Sequence, residues 1–104
     1  MYSQIYALDV VPGRRDDFRA LGVQHAAECL QEESGTLRCD SFQDESNAYR
    51  VYAVETDADL EAFEAHRNGA VLQRNYPLFA PMLAVPPILL GRGFNKAPSA
   101  DSLA

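Results

Sequence analysis

Residues 33–69 have the sequence ESGTLRCDSFQDESNAYRVYAVETDADLEAFEAHRNG. Two runs rich in β-forming residues, 36–43 and 49–56, flank a short polar loop, which is the pattern of a β-hairpin. A run with helical spacing follows directly and reaches His66 before Asn68-Gly69 ends it. These residues therefore predict two half-buried strands that lead into a helix, which we expect Thr56-Asp57 to cap.

The flanking sequence adds a strand and a helix before this unit, and a broken helical segment and a last strand after it. The four predicted elements cover residues 2–11, 14–33, 70–83 and 85–94. The resulting order is β-α-β-β-α-β, so the predicted fold class is α+β, a ferredoxin-like arrangement with an antiparallel sheet.

Length and composition favour one small domain and exclude several classes of partner. The chain has 104 residues, of which we assign 1–95 to the domain and 96–104 to a flexible C-terminal tail. Its net charge of −6 and its lack of a Lys/Arg cluster argue against nucleic acid and membrane as partners. No run approaches the ~20 apolar residues that span a bilayer. Two cysteines without metal-ligand spacing suit reduced thiols and a cytoplasmic protein.

The first strand carries large side chains on both of its faces. Tyr2, Tyr6 and Leu8 alternate with Ile5 and Ala7. In a ferredoxin-like sheet the helices cover one face only, so the other face would leave apolar side chains bare. A second copy of the chain would cover this apolar face, and we therefore expect a homodimer.

Four short motifs resemble the antibiotic biosynthesis monooxygenase (ABM) family. They are ESGTLR entering a strand at 33–38, Gln43-Asp44 at the hairpin entry, Glu55 near the end of the next strand, and FEAH at 63–66. The resemblance covers about residues 4–83. It implies a dimeric α/β barrel with a small-molecule pocket between sheet and helices, and cofactor-free oxidation of aromatic or quinol substrates by O₂.

Within this superfamily, residues 24–44 are similar to the autoinducer-2-processing branch, which implies an isomerase of phospho-sugar-like substrates. Three positions depart from the family pattern. Cys39 stands where an aromatic residue is common, Ser34 replaces a usual proline, and Val71 occupies the position of a second histidine.

Three side chains are candidates for acid–base catalysis: His66, Glu55 and His25. His66 follows Phe63 by one helical turn, although a histidine near a helix C-terminus is also favoured by the helix dipole. Glu55 shares a strand face with apolar residues, which would raise its pKa, and its plainer interpretation is an ion pair with arginine. His25 lies on the inner face of the first helix, where a buried histidine is usually structural.

We expect His66 and Glu55 to face one pocket without touching. A helix that folds back over its strand for about 14 Å would place His66 toward the opposite end of the sheet from Glu55. A substrate or a water would then bridge the two side chains.

Aromatic side chains supply the candidate substrate-binding residues, and each could equally be a core or dimer-interface residue. They are Tyr6, Tyr52, Phe63 and Tyr76. We expect no cofactor, because the sequence has no glycine-rich phosphate loop or dinucleotide fingerprint. We expect no metal, because two histidines far apart are too few ligands without converging carboxylates.

Three functions remain open on this reasoning. The first is a cofactor-independent monooxygenase of a small electron-rich aromatic or quinol substrate. The second is an isomerase or tautomerase of a small hydroxy-ketone that uses His25, Glu55 and His66. The third is a dimeric small-molecule-binding or stress-response domain without catalysis.

Overall fold

The structure, a computed structural model, describes residues 1–96. The elements in this range are β1 (Tyr2–Asp9), α1 (Arg15–Glu32), β2 (Thr36–Gln43), β3 (Arg50–Asp57), α2 (Leu60–Arg67), α3 (Ala70–Phe79), a 3₁₀ turn (Ala80–Met82) and β4 (Ile88–Phe94). Most of the predicted tail, residues 97–104, lies outside the described residues. No helix in the described part of the chain is both long and apolar enough to cross a membrane.

The four strands form one antiparallel sheet in the order β2-β3-β1-β4. This is the strand order of a ferredoxin-like fold, so the predicted fold class is confirmed. The hairpin β2–β3 has the predicted strand at 36–43, and the second strand is shifted by one residue to 50–57. Association of two sheets into a barrel stays a prediction.

The start of α2 differs from the prediction. Strand β3 continues through Thr56 and Asp57, both of which are buried. The helix begins at Leu60, and the N-cap is Asp59, whose carboxylate accepts a hydrogen bond from the Ala62 amide at 2.8 Å. Pairing of β3 with both neighbouring strands extends the strand through Thr56 and Asp57, the predicted cap, so that the next residue suited to an N-cap, Asp59, takes this place.

The space between sheet and helices is apolar at one end. Val10, Phe18 and Met82 form its buried centre, and Leu8 and Val51 pack against them from the sheet. Leu8 lies directly opposite Val51 across β1 and β3. Burial of these side chains supplies the hydrophobic stabilisation of this end.

The other end of the same space is polar. Gln4 faces Glu55 in the β1–β3 register, four residues along each strand from the Leu8–Val51 pair. At about 3.3 Å per residue, this is about 13 Å from the apolar end. Gln4, Thr36, Asp57 and His66 are all buried here, so the unusual burial of polar groups marks this end as the place to look for a site.

Close packing of α2 against the turn after α1 fixes this polar end. A Cβ built on Gly35 would lie 2.4 Å from the Cβ of Ala62 in α2. Only glycine therefore allows the α1–β2 turn to approach α2 this closely, and the approach brings the end of α1 beside the histidine of α2.

Candidate functional site

His66 lies between two carboxylates that come from different elements. Its Nδ1 is 2.7 Å from Glu33 Oε1, just after α1, and its Nε2 is 2.8 Å from Glu55 Oε2 in β3. The His66 side chain is 4 % exposed, and those of Glu33 and Glu55 are 14 % and 13 % exposed. We call these three side chains the Glu33–His66–Glu55 relay, since both ring nitrogens can exchange protons with a carboxylate.

The prediction that His66 and Glu55 would not touch is wrong. From Glu55 the chain first runs on to Asp59, an advance of about 13 Å for four extended residues. The six steps from Leu60 to His66 then return by about 9 Å along the helix. The prediction took only the return path into account, whereas the two paths together leave His66 within about 4 Å of the level of Glu55, which the two side chains can span.

The relay holds His66 in its charged form at neutral pH. Burial lowers the pKa of His66, but the hydrogen bonds and negative charges of Glu55 and Glu33 outweigh burial and raise the pKa to about 9. Both ring nitrogens are therefore donors near pH 7. His66 at this pH is a source of protons and of positive charge, and the carboxylates are the groups that can accept a proton.

A third carboxylate joins the relay through Thr36. The Thr36 hydroxyl lies 3.1 Å from Glu33 Oε1 and 3.1 Å from Asp57 Oδ1, and it can donate to one of them at a time. Burial, together with the negative charge of nearby Glu55, raises the pKa of Asp57 to about 6. One oxygen of each carboxylate, Glu33 Oε2, Glu55 Oε1 and Asp57 Oδ2, is buried without a hydrogen-bond partner among the described residues.

An arginine and two aromatic side chains border the relay on the β1–β4 side. Gln4 Nε2 donates to Glu55 Oε2 at 3.4 Å, and Arg92 donates to Gln4 Oε1 at 2.9 Å and to the Tyr6 hydroxyl at 2.8 Å. The Arg92 guanidinium also lies 4.9 Å from the centre of the Phe63 ring. Two of the predicted substrate-binding residues, Tyr6 and Phe63, are therefore connected to Glu55 through a short polar chain.

His25 belongs to a neighbouring cluster and makes no hydrogen bond to the relay. Asn75 Nδ2 donates to Glu28 Oε1 at 3.2 Å and lies 2.9 Å from His25 Nδ1, which therefore accepts. The proton of His25 is then on Nε2, which faces Cys29 Sγ at 3.5 Å. Burial, followed by the charge of His66, lowers the pKa of His25, so His25 is the neutral histidine of the pair.

The two remaining aromatic candidates lie elsewhere. Tyr52 is directly opposite Ala7 and Phe42, on the sheet face that points away from the helices, and its hydroxyl donates to Asp44 at 2.6 Å. Tyr76 is 42 % exposed on α3. The structure therefore does not bring Tyr52 or Tyr76 to the relay within one chain.

Glu33, Asp57, Gln4 and Arg92 were not among the site residues predicted from the sequence. A signal for Asp57 was present, because Asp57 follows Glu55 by two residues and so shares its strand face. Arg92 shares a face with Gln4 only through the β1–β4 register, which the sequence did not give. Val71, at the position of the second family histidine, is 2 % exposed and adds an apolar group.

A cleft leads from the surface to Glu33. It has a volume of about 540 Å³ and lies between the end of α1 and helices α2 and α3, with small side chains such as Ala62, Ala65 and Ala70 in its wall. Glu33 lines the cleft, and a Cβ added to Gly69 would lie 3.0 Å from Glu33 Oε2. The volume of this cleft is within the range of small-molecule binding sites.

Within residues 1–96, two groups of three side chains bring possible metal-ligating atoms within 4.8 Å of one another: His25, Cys29 and Cys39, and Cys29, Glu33 and His66. The ring nitrogens in both groups already have hydrogen-bond partners, since His66 contacts carboxylates on both sides and His25 contacts Asn75 and Cys29. The arrangement of these groups suits proton transfer and thiol chemistry.

Solved structures share the fold at low identity. A conserved protein of Methanosarcina mazei matches with a TM-score of 0.83 and 18% identity over 91% of this chain and 92% of its own. A Pseudomonas aeruginosa protein matches with a TM-score of 0.77 and 21% identity over 92% and 94%. A Caulobacter crescentus protein, named as a candidate antibiotic biosynthesis monooxygenase, gives 0.80 and 18% over 85% and 83%. No curated protein sequence matches.

The sequence match to a family is more direct. The model of the antibiotic biosynthesis monooxygenase family matches residues 1–74, which include β1 through α2 and all three side chains of the Glu33–His66–Glu55 relay. This match covers more than half of the chain, and the chain belongs to the antibiotic biosynthesis monooxygenase family.

Proposed function

We propose that this protein is a cofactor-independent monooxygenase that oxidises a small electron-rich aromatic or quinol substrate with O₂. The observation that carries the proposal is the buried Glu33–His66–Glu55 relay, in which Glu55 Oε1 has no hydrogen-bond partner among the described residues. A buried, unpartnered carboxylate oxygen next to an imidazolium is a suitable acceptor for the proton of a phenolic hydroxyl.

The first step is removal of that proton by Glu55. His66 cannot act as the base at neutral pH because its pKa is raised to about 9 by the two carboxylates, whose effect exceeds that of burial. Its role is to hold Glu55 in place and to share the proton with Glu33 on the other side of the ring. The phenolate that remains is far easier to oxidise than the phenol.

The substrate then supplies the electrons. The phenolate transfers one electron to O₂, and the two radicals combine to form a C–O bond and a peroxide. The peroxide loses water as the ring carbon gives up its hydrogen and the O–O bond breaks. A quinol and O₂ thereby give a hydroxyquinone and water, and the protein provides proton transfer, orientation and exclusion of solvent.

Arg92, Tyr6 and Phe63 are placed to orient the ring. The guanidinium and the Tyr6 hydroxyl can donate to a substrate oxygen, and the Phe63 ring gives an apolar wall on the same side. Because Gln4 ties Arg92 to Glu55, an oxygen bound by Arg92 would lie close to the proposed base.

An isomerase or tautomerase acting on a hydroxy-ketone is the second candidate. One observation favours it, namely that His66 has a carboxylate on each ring nitrogen. Such a pair can remove a proton from one carbon and return a proton to its neighbour, without oxidation. His25, the third residue of that hypothesis, would have to act from the neighbouring cluster.

Oxygen uptake with a panel of quinols tests the proposal. We expect O₂ consumption that falls by about 100-fold or more in kcat for Glu55→Gln, which keeps the shape of the side chain and removes the base. Glu64→Gln is the matched control, since Glu64 lies half-exposed on α2 and pairs only weakly with Arg67 at 3.7 Å. Its rate should equal that of the wild type.

The alternatives give different results in the same samples. Deuterium incorporation into a hydroxy-ketone in D₂O, lost in Glu55→Gln and without O₂ uptake, would replace the monooxygenase by the isomerase. Ligand binding with neither reaction would leave the third hypothesis, a binding domain, and would overturn both enzymatic proposals.

We also propose that the active form is a homodimer. The sheet face away from the helices carries Ile5, Tyr52 and Val54, all only half-buried, and Phe42, which is 51 % exposed. A second sheet packed on this face would bury these side chains. Light scattering at micromolar concentration should give twice the chain mass, and a monomer mass would contradict the proposal.

A further inference from the structure

Cys29 and Cys39 meet at the wall of the site, although they are ten residues apart and lie in a helix and a strand. Their sulfurs lie within 4.8 Å of each other and of a His25 ring nitrogen. A disulfide needs an S–S distance of about 2 Å, so the sulfurs must approach by at most about 3 Å. Each cysteine side chain has three staggered rotamers, and a change of rotamer moves its sulfur by a distance of this order.

We propose that Cys29 and Cys39 form a redox-active dithiol that a peroxide oxidises to an intramolecular disulfide. This inference goes beyond the proposed oxygenation and does not depend on it. Peroxide is named as the oxidant because it is small enough to reach a half-buried thiol.

The two thiols differ in the way that such a reaction needs. Cys29 is 0% exposed, whereas Cys39 is partly accessible. The hydrogen bond from Cys29 lowers the pKa of the Cys39 thiol, and the same interaction together with burial raises the pKa of the Cys29 thiol. Cys39 is therefore the thiolate that attacks, and Cys29 keeps its proton until the second step.

The reaction balances without any further group. The Cys39 thiolate attacks one oxygen of the peroxide, the O–O bond breaks, and the departing alkoxide or hydroxide takes a proton from solvent. The Cys39 sulfenic acid then reacts with Cys29: an S–S bond forms, the S–O bond breaks, and the Cys29 proton leaves with the hydroxyl as water. Two thiols and one peroxide give a disulfide, water, and an alcohol or a second water.

The dithiol is connected to the Glu33–His66–Glu55 relay on both sides. Cys39 lies directly opposite Glu55 in the β2–β3 register, and the Cys29 carbonyl accepts a hydrogen bond from the Glu33 amide at 3.0 Å. Formation of a disulfide would pull the end of α1 and strand β2 together beside both carboxylates. The oxidation state of Cys29 and Cys39 would therefore change the positions of the two carboxylates in the site.

The test uses the reduced, full-length protein and limiting hydrogen peroxide. We expect one equivalent to remove both thiols, to give a disulfide within one chain by mass spectrometry, and to be reversed by dithiothreitol. Cys39→Ser should lower the rate of peroxide consumption by about tenfold or more. Cys29→Ser should instead stop at a sulfenic acid on Cys39 that dimedone captures.

Ser41→Ala is the matched control, because Ser41 lies two residues along β2 on the same face as Cys39 and is exposed. It should be oxidised at the wild-type rate. A second measurement needs no variant: limiting iodoacetamide should modify Cys39 of the wild-type protein before Cys29. Modification of Cys29 first, survival of both thiols in excess peroxide, or a disulfide only between chains would each overturn the proposal.

Discussion

Replacement of His66 by glutamine should remove a pH-dependent part of the stability. His66 has its pKa raised to about 9 in the folded protein, against 6.5 for an ordinary histidine, because the hydrogen bonds and charges of Glu55 and Glu33 exceed the opposing effect of burial. A group with a raised folded-state pKa stabilises the fold fully below the unfolded value and ceases to do so as the pH rises through the folded value. The stabilisation by His66 is therefore present at pH 6.5 and lost by about pH 10.

The expected magnitude follows from the same two values. A rise from 6.5 to about 9 corresponds to about 3 kcal/mol at the low-pH end of this window. An independent argument agrees, since removing one member of a buried ion pair typically costs about 3–5 kcal/mol. His66 is 4 % exposed, so solvent screening reduces this figure little.

Urea denaturation followed by circular dichroism, repeated from pH 6.5 to pH 10, measures the effect. We expect the wild type to be more stable than His66→Gln by about 3 kcal/mol at pH 6.5 and the two to converge toward pH 10. The difference between the proteins cancels the titration of groups that do not interact with His66, and the Cys39 thiol, whose pKa the hydrogen bond from Cys29 and the charge of His66 both lower, is not one of them. The window starts at pH 6.5 because His25, whose pKa is lowered by burial and by the charge of His66, titrates below it.

A constant difference between wild type and variant across this range would refute the reasoning, because it would mean that His66 contributes by packing and not by its charge. Proton NMR gives a second readout. The chain has two histidines, and the imidazole signals should titrate on opposite sides of pH 6.5, with His66 near pH 9. Two midpoints near 6.5 would contradict the charged form of His66 at neutral pH.

Two further substitutions test other parts of the account. Asp57→Asn should stabilise the protein by about 3 kcal/mol at pH 7 and by nothing at pH 3.5, because burial and Glu55 raise the pKa of Asp57 to about 6, and a raised carboxyl pKa removes stability as the pH rises above 3.8. The same difference in unfolding free energy between Asp57→Asn and wild type at both pH values would contradict this. Gly35→Ala should destabilise by about 1–3 kcal/mol in thermal or urea unfolding, since its Cβ would lie 2.4 Å from a Cβ of α2. Gly22→Ala, with open space around the new Cβ, is the control and should be neutral or stabilising by up to about 1 kcal/mol.

The fold could be predicted from the sequence because the sequence signals for its elements are local. Strand alternation in residues 36–43, the polar hairpin loop and the helical spacing of α1 each depend on a few neighbouring residues, and the structure places the elements within a few residues of the predicted bounds. The ends of helices and strands were harder to predict where two local signals competed. Thr56-Asp57 and Asp59 are all good N-cap residues, and long-range pairing of β3 decided between them.

The site was accessible in part. His66 and Glu55 were predicted from residue type and position. Their contact, however, depends on how far the chain runs past Glu55 before α2 begins and how far α2 then returns, and a change of three residues in the start of the helix alters both distances. Glu33 contacts His66 from the end of α1, and Arg92 contacts Gln4 from β4, and both contacts require the tertiary arrangement. Proximity of Cys29 to Cys39 likewise arises only when α1 packs on β2.

The distribution of polar groups inside the protein is itself an argument for a site. A domain of this size has little hydrophobic surface to bury, and the apolar centre around Val10, Phe18 and Met82 occupies one end of the interior only. At the other end, three carboxylates surround one imidazolium, and each has a buried oxygen without a partner in the described chain. Burial of excess negative charge is destabilising, so it would not be expected if stability were the only requirement on these positions. The same excess charge is what a proton acceptor requires, and we therefore expect stabilising substitutions at this end, such as Asp57→Asn, to lower turnover by the proposed base Glu55.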